Sequence, residues 1–232
     1  MIIISGLLPH YGEMDFEGSL YTSLRTQHIP SCKYTIYRYD RKTTGVYWTD
    51  AMNELHDMVC ESNMLKDSDV ICILNADLEL APDLFEKGSK VQFGEILIPQ
   101  VIENGKVDEW GLAIDWPRKR FYYHFAYIDV FSPRGIFMKV KDFRESGGFN
   151  KHLKHYLSDY EWAIRQIKRG IKPVRMDSWV IHQPHSKDAP LFSPLNPHNP
   201  WYWIVFLWLT CPKKHLLTNI LRAIISAFWR KK

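Results

Sequence analysis

The sequence lacks the short motifs that identify several common classes of nucleotide-binding enzyme. No Gly-x-Gly-x-x-Gly follows the first apolar run, and no Gly-Lys-Ser or Gly-Lys-Thr occurs anywhere. Dinucleotide-dependent enzymes, most methyltransferases and P-loop NTPases are therefore disfavoured. The four cysteines are scattered and form no Cys-x-x-Cys pair. We expect reduced thiols in a cytosolic protein, with neither a disulfide framework nor a zinc site.

Acidic residues are absent after Asp188. The final stretch instead carries six cations: Lys213, Lys214, Arg222, Arg230, Lys231 and Lys232. They exceed the net charge of the whole chain, which is +4, so the residues before them are slightly acidic. No apolar run reaches the length of a bilayer span. The apolar N-terminus lacks the basic flank and cleavage site of a signal peptide, and we read it as a first strand.

Strand and helix patterns alternate over the first ~90 of the 232 residues, which predicts one α/β domain with a mainly parallel sheet flanked by helices. The predicted strands cover residues 2–8, 33–39 and 70–74. In the second half, strand-like runs over residues 96–101, 107–114, 121–131 and 136–140, with an Asn104-Gly105 hairpin signal, predict a mixed extension of this sheet.

The most informative strand is the continuous apolar run Val70–Leu74, which ends in Asn75-Ala-Asp77. Such a run is typical of a strand buried on both faces. Ligands of open α/β sheets bind outside the carboxyl ends of the strands, so Asp77 is a candidate ligand for Mg²⁺ or Mn²⁺ beside a diphosphate. The alternative is that Asn75 and Asp77 only end the strand in a turn. His10, Tyr11 and Asp40 follow the other two strands.

A helix is predicted from Leu157 to Arg169, and its first residues allow two interpretations. Ser158 and Glu161 fit a capping box, in which Asp159 only complements the helix dipole. Alternatively, Asp159 stays ionised near neutral pH and accepts a proton from an attacking hydroxyl. His182 ends the next predicted strand and is either a metal or phosphate contact or a structural residue.

The last part of the chain predicts a Pro-, Ser- and Asn-rich linker followed by helices. Residues 201–209 are apolar throughout, and residues 213–229 place most of their apolar side chains on one side. A basic amphipathic helix with Trp at its edges is typical of an anchor at an anionic membrane surface. The alternative is a helix that packs on the domain or forms a dimer.

Several of these segments, in this order, resemble the family-2 glycosyltransferases with the GT-A fold, especially bacterial rhamnosyltransferase-like members. Residues 74–83 resemble the strand end that carries their Asp-x-Asp metal motif. Residues 147–150 and 156–170 resemble their acceptor-side block, which runs Gly-Gly-Phe-Asp, Glu-Asp-x-Asp, Arg and Gly. Val180-Ile-His182 is similar to the strand and His that commonly follow.

The resemblance implies an inverting, metal-dependent glycosyltransferase of hexosyltransferase type. Asp159 would be the general base, and Asp77 with His182 would hold a divalent cation, Mn²⁺ or Mg²⁺. The nucleotide-sugar donor would be bound by Pro9, Tyr11, Asp40, Asn53, Asn75 and Asp77.

The resemblance also implies a division of the chain and a setting. Residues 1–186 would form the GT-A domain, with a nucleotide-sugar half (1–95) and an acceptor half (96–186). Residues 187–232 would be a linker and a membrane-associating tail. We expect a saccharide acceptor, often lipid-linked, at the cytoplasmic face of the cell membrane in cell-surface polysaccharide synthesis, and no nucleic-acid partner.

Three departures from the family pattern keep alternatives open, and one of them is the lack of the usual Asn after Tyr11. Asn75 stands where the first acid of Asp-x-Asp is usual, and Ser158 stands where a Glu is usual. A catalytically inactive GT-A-like module that binds nucleotide or membrane is therefore one alternative, and a peripheral membrane scaffold is another. A sugar nucleotidyltransferase is disfavoured because no Gly-rich basic loop follows the first strand.

Overall fold

The computed structural model describes residues 2–5, 20, 23–24, 26–27, 35–38, 47–75, 77–182, 192–193 and 196–229. The strands are β1 (Ile2–Ser5), β2 (Thr35–Arg38), β3 (Val70–Leu74), β4 (Leu78–Leu80), β5 (Glu95–Glu103), β6 (Lys106–Glu109), β7 (Leu112–Asp115), β8 (Arg120–Tyr123), β9 (Ile136–Lys139) and β10 (Lys172–His182). The helices are α1 (Trp48–Glu61), α2 (Leu84–Gly88), α3 (Val140–Arg144), α4 (Ser158–Lys168), α5 (Pro200–Thr210) and α6 (Lys213–Trp229), with a 3₁₀ turn at Trp116–Arg118.

The central sheet of the described chain has eight strands in the order β2-β1-β3-β9-β5-β10-β4, with β6 paired to β5. Strands β2, β1, β3, β5 and β10 run in one direction, while β9, β4 and β6 run against them. The predicted α/β fold with a mainly parallel sheet and flanking helices is therefore confirmed. The antiparallel β9 is inserted between β3 and β5; it begins at the edge where the parallel strands end and leads the chain away from that edge.

The second half follows the predicted strands only in part. The Asn104-Gly105 hairpin is confirmed: both residues have positive φ angles, 51° and 72°, and Glu103 pairs with Lys106. The single strand predicted over residues 107–114 is wrong. It is divided into β6 and β7 at Gly111, whose φ of 72° turns the chain away from β5.

Strand β3 is buried on both faces, as the apolar run predicts. Ile71 and Ile73 belong to the core cluster on one side of the sheet, together with the inner faces of α1 and α4. Val70, Cys72 and Leu74 belong to the cluster on the other side, beneath α2. All five side chains are at most 7% exposed, which fixes the strand and therefore the positions of the residues that follow it.

Helices α5 and α6 pack against the domain. Tyr202, Phe206 and Leu207 of α5, and Ala223 of α6, are buried in the core cluster that also contains Trp162 of α4. The sequence left open whether these helices pack on the domain. The structure shows that the inner sides of both helices do so. The domain boundary predicted at residue 186 remains a prediction. The hydrophobic core continues beyond it, because α5 and α6 contribute residues to the core.

The apolar residues of α6 do not form the single face expected from the sequence. Leu216 and Ile220 pack against the core, whereas Leu217, Leu221 and Ile225 are exposed. Among the residues that the structure describes, no helix combines the length and the apolar character that crossing a bilayer requires.

Candidate active site

Charged side chains from four strand ends meet at one edge of the sheet. Asp77 follows β3, Glu103 ends β5 and His182 ends β10, so all three lie at the carboxyl edge of parallel strands. Arg134 precedes the antiparallel β9 and therefore reaches the same edge. The sequence predicted Asp77 and His182 here, and the structure brings them together.

His182 lies between two carboxylates. Its Nε2 is 3.3 Å from Asp77 Oδ2 and its Nδ1 is 3.1 Å from Glu103 Oε2. Arg134 Nη1 is 3.2 Å from the same Nδ1. Burial acts to lower the pKa of His182, but the hydrogen bond and negative charge of Asp77 outweigh it, so the pKa is raised above 6.5. The ring is held at both nitrogens and points at Asp77.

The side chains at this edge could hold a divalent cation only if a bound ligand or water completed its coordination. Asp77 Oδ1 is buried and has no hydrogen-bond partner among the described residues, so one carboxylate oxygen is available for coordination. No group of three or more His, Cys, Asp or Glu side chains within the described residues is placed to hold a metal ion. Asp77 Oδ1 thus fits a cation that takes its other ligands from a diphosphate or from water, and His182 could join it only with its Nε2 released from Asp77.

Glu109 and Arg134 form a buried ion pair beside this edge. Arg134 Nη2 donates to Glu109 Oε2 at 2.8 Å, and the Ser132 backbone N–H donates to Glu109 Oε1 at 2.5 Å. Tyr160 OH lies 3.5 Å from Glu109 Oε2. The Glu109 side chain is 2% exposed, so its charge acts on neighbouring groups with little screening by water.

Asp159 lies in the first turn of α4, next to Tyr160. Its residue surface remains partly accessible, although protein surrounds the carboxyl closely. Burial, followed by the negative charge of Glu109, raises its pKa from 3.8 to about 7. Backbone N–H groups of Asp159 and Tyr160, and the charge of Arg134, oppose the rise but do not cancel it. The expectation that the helix N-terminus keeps Asp159 fully ionised is therefore wrong.

The predicted capping box at the start of α4 is also wrong. The N-cap is Leu157, in a left-handed conformation with φ of 66°, and Ser158 is already the first helical residue. Ser158 Oγ and, from the preceding loop, His155 Nδ1 are buried without hydrogen-bond partners among the described residues. Burial lowers the pKa of His155 to about 4, so its ring is neutral at pH 7. Buried groups of this kind are available to a ligand.

The loop of residues 147–150 is fixed from two sides. Arg165 Nη2 donates to Gly148 O at 2.7 Å, and the same guanidinium pairs with Glu161. Asn53 Nδ2 donates to Phe149 O at 3.0 Å, and the Phe149 N–H donates to Asn53 Oδ1 at 2.7 Å. Asn53 was predicted to bind the donor, but its amide is occupied by this loop, so any effect on the donor would be indirect.

The remaining predicted donor contacts are placed differently or lie outside the described residues. Asn75 Oδ1 accepts a hydrogen bond of 3.2 Å from Trp48 Nε1, which ties the end of β3 to the start of α1. Pro9, Tyr11 and Asp40 lie outside the residues that the structure describes.

Four residues of the site were missed by the sequence analysis: Glu103, Glu109, Arg134 and His155. A Glu after an apolar-polar strand and an Arg after Ser-Pro carry no local signal of a shared site. Only the pairing of β5 with β6 and β9 brings Glu109 and Arg134 together.

No protein-family model matches the chain, and no curated protein matches it by sequence. Solved structures do match. GalNAc-T7, solved with UDP, GalNAc and Mn²⁺, is 14% identical with a TM-score of 0.60, over 88% of this chain and 47% of that one. TarS of S. aureus is 9% identical with a TM-score of 0.54, over 96% of this chain and 42% of that one.

A shorter TarS structure, TarS 1-349 in complex with UDP-GlcNAc, is 8% identical with a TM-score of 0.53 and is matched over 70% of its length. The chain spans less than half the length of GalNAc-T7 and of the longer TarS chain. Identities this low are informative about the fold alone. With its mainly parallel sheet and flanking helices, the chain has the GT-A glycosyltransferase fold.

Proposed function

We propose that the chain is an inverting glycosyltransferase that moves a sugar from a nucleotide-diphosphate donor to a hydroxyl of a saccharide acceptor. The observation that carries the proposal is the position and pKa of Asp159. Its pKa of about 7 matches what a general base needs near neutral pH, and it lies beside the edge formed by Asp77, Arg134 and His182.

The donor would bind with its diphosphate at this edge. Asp77 and His182 would hold a divalent cation, Mn²⁺ or Mg²⁺, and that ion would neutralise the charge of the leaving diphosphate. GalNAc-T7 was solved with Mn²⁺ and UDP, which supports a cation and a nucleotide-sugar donor for this fold. Asn75 stands in place of an acid and is bound by Trp48, so we expect Asp77 to supply the only carboxylate of this strand end.

Asp159 would remove the proton from the acceptor hydroxyl as its oxygen attacks the anomeric carbon. The new bond forms between the acceptor oxygen and that carbon, and the bond to the diphosphate oxygen breaks on the opposite side. This single displacement inverts the anomeric configuration, and the nucleoside diphosphate leaves with the bonding electrons. Glu109 would keep the pKa of Asp159 high enough for proton transfer near pH 7.

The division of the chain, the acceptor and the cellular setting are proposed from the resemblance to family-2, rhamnosyltransferase-like enzymes. We infer that residues 1–95 bind the donor, that 96–186 bind the acceptor, and that 187–232 associate with the membrane. The acceptor would be a lipid-linked saccharide at the cytoplasmic face of the cell membrane, in cell-surface polysaccharide synthesis. The excess of positive charge at the end of the chain supports this setting.

The donor can be tested through thermal stability with UDP, GDP, dTDP and CMP, each with and without Mn²⁺. A ligand that binds only the folded state raises the melting temperature. We expect one nucleotide to do so only with the cation, and to lose the effect in Asp77→Ala. Asp177→Ala is the matched control, because Asp177 is 96% exposed and lies away from the site.

The reaction itself is tested by transfer from the nucleotide sugar so identified. Asp159→Asn should lower turnover by about 10²–10⁴-fold while leaving nucleotide binding intact. Nucleotide binding without any turnover by the wild type would instead support the inactive GT-A-like module, which the Asn75 substitution keeps open. Absence of binding by all four nucleotides would contradict the proposal.

A further inference from the structure

Helices α5 and α6 expose large apolar side chains on the side that faces away from the core. This outer face consists of Trp201, Trp208, Leu209, Leu217, Leu221 and Ile225. Trp208 is 71% exposed and Leu217 is 72% exposed. The opposite sides of the same helices are already buried in the domain core. The fold therefore does not need these outer residues to be apolar.

The exposed positions of α6 form two adjacent stripes along the helix. Leu217, Leu221 and Ile225 are four residues apart and make an apolar stripe, and Thr218, Arg222 and Ser226 make a polar stripe beside it. The apolar stripe is exposed to solvent although the fold does not bury it. A group of exposed apolar side chains of this kind marks an interaction surface.

The charged side chains of α5 and α6 themselves are all positive, although Asp129 lies in the cleft beside Leu209 and Lys213, and Asp115 precedes the adjacent 3₁₀ turn. Lys213 and Lys214 are exposed at the start of α6, and the exposed Arg222 donates to Pro117 O in the adjacent 3₁₀ turn. The sequence has no acidic residue from 196 to 229. A second copy of the chain would bring like charges together across this surface, whereas an anionic surface would neutralise them.

We propose that the outer face docks on an anionic lipid bilayer, with α5 and α6 lying in the plane of the membrane. Exposed Trp residues at both ends of α5 suit the level of the lipid headgroups. The 17 residues of α6 span about 26 Å, which is shorter than the hydrocarbon core, and Lys214 and Arg222 interrupt their outer side. The helix pair therefore enters the bilayer only through its outer side chains.

The docking surface is joined directly to the helix that carries Asp159. Helix α5 packs on α4. The ring of Phe121 lies 5.1 Å from that of Tyr160, and 6.1 Å and 6.3 Å from those of Trp203 and Phe206. A bilayer bound to α5 and α6 thus stands at a fixed distance from Asp159. If the transferase function proposed above holds, this geometry favours an acceptor whose reactive sugar is carried on a lipid.

Binding of the full chain to vesicles tests the proposal without donor, acceptor or turnover. The probes are phosphatidylcholine vesicles and vesicles that also contain phosphatidylglycerol, sedimented at low and high salt. We expect binding to the anionic vesicles that weakens with salt, and little binding to the neutral ones. Equal binding to both, or none to either, would overturn the proposal.

Two sets of variants locate the surface. Leu217→Ser with Leu221→Ser should weaken vesicle binding at least about tenfold, since both side chains lose apolar burial. Met64→Ser with Phe93→Ser is the matched control, because these exposed apolar residues lie elsewhere, and it should change nothing. Replacing Lys213 and Lys214 with Gln should weaken binding to anionic vesicles by about fivefold for each cation at low salt.

A dimer formed through the outer face is the competing explanation, and the oligomeric state tests it. If the wild type sediments as a dimer, if Leu217→Ser with Leu221→Ser makes it a monomer, and if vesicles are not bound, the outer face is an interface between copies and the proposal is wrong. Vesicle binding that persists in a chain without glycosyl transfer would leave the docking surface intact and refute only the proposed function.

Discussion

Replacing Asp159 with Asn should make the protein more stable while greatly lowering the proposed transfer activity. In the folded protein the carboxyl is crowded by protein and faces the negative charge of Glu109. Its ionised form is therefore less favourable than in the unfolded chain. Asn has nearly the same shape and carries no charge, so the variant avoids this cost.

The size of the effect follows from the pKa. A rise from 3.8 to about 7 corresponds to at most about 4 kcal/mol of unfolding free energy. Asp159 keeps part of its surface accessible, and water screens its charge, so we expect a gain of about 1–2 kcal/mol. Such a gain would raise the melting temperature of a domain of this size by a few degrees.

The pH dependence identifies the cause. A carboxyl with a raised pKa binds more protons in the folded state between pH ~4 and ~7, so its contribution makes the protein less stable as pH rises through that window. The advantage of Asp159→Asn should therefore be small near pH 4, grow up to about pH 7 and then stay constant. Urea unfolding at several pH values measures this difference directly.

A control and a refuting result are both available. Asp177→Asn changes a carboxylate that is 96% exposed and should leave stability unchanged at every pH. If Asp159→Asn is no more stable than the wild type at pH 8, or if its advantage does not depend on pH, the carboxyl is not strained by burial and by Glu109. The assignment of Asp159 as a base with a raised pKa would then be wrong.

Three further predictions concern the surroundings of Asp159. Turnover at saturating substrate should rise with pH through about 7, and Glu109→Gln should move this midpoint to lower pH, which a pH–rate profile measures. Arg165→Ala should lower the unfolding free energy by about 1–3 kcal/mol, since it leaves Gly148 O and the 8%-exposed Glu161 unpaired; chemical denaturation checks this. Deleting residues 200–232 should abolish cooperative thermal unfolding, because the core cluster includes α5 and α6.

Local sequence patterns predicted those features of the fold that depend on residues adjacent in the chain. Val70–Leu74 is buried on both faces because five consecutive apolar residues can be accommodated only inside the sheet. Asn104 and Gly105 form the turn between β5 and β6 because both tolerate positive φ. Asp77 and His182 were found because strand ends are recognisable from the polar residues that follow apolar runs.

The sequence could not supply features that depend on distant pairing or on one unusual dihedral angle. Leu157 adopts a left-handed conformation that its residue type disfavours, so Ser158 moves into the helix and the capping box is not formed. Glu109 and Arg134 are 25 residues apart and meet only because β9 is inserted next to β5. The raised pKa of Asp159 depends on burial and then on the charge of Glu109, and Arg134 partly offsets both.

The charge balance at the edge of the sheet agrees with the proposal that a cation binds there together with an anionic donor. Asp77, Glu103 and Glu109 are all close to Arg134 or His182, and Asp108 lies 3.2 Å from Arg134. Within the part of the chain that the structure describes, the Arg134 guanidinium and the His182 imidazole therefore face four carboxylates. A diphosphate alone would be repelled by this edge, whereas a divalent ion at Asp77 would offset both sets of negative charge. Burial, and after it the charge of Glu109 in this cluster, raises the energy of an ionised Asp159 and so makes Asp159 a stronger base.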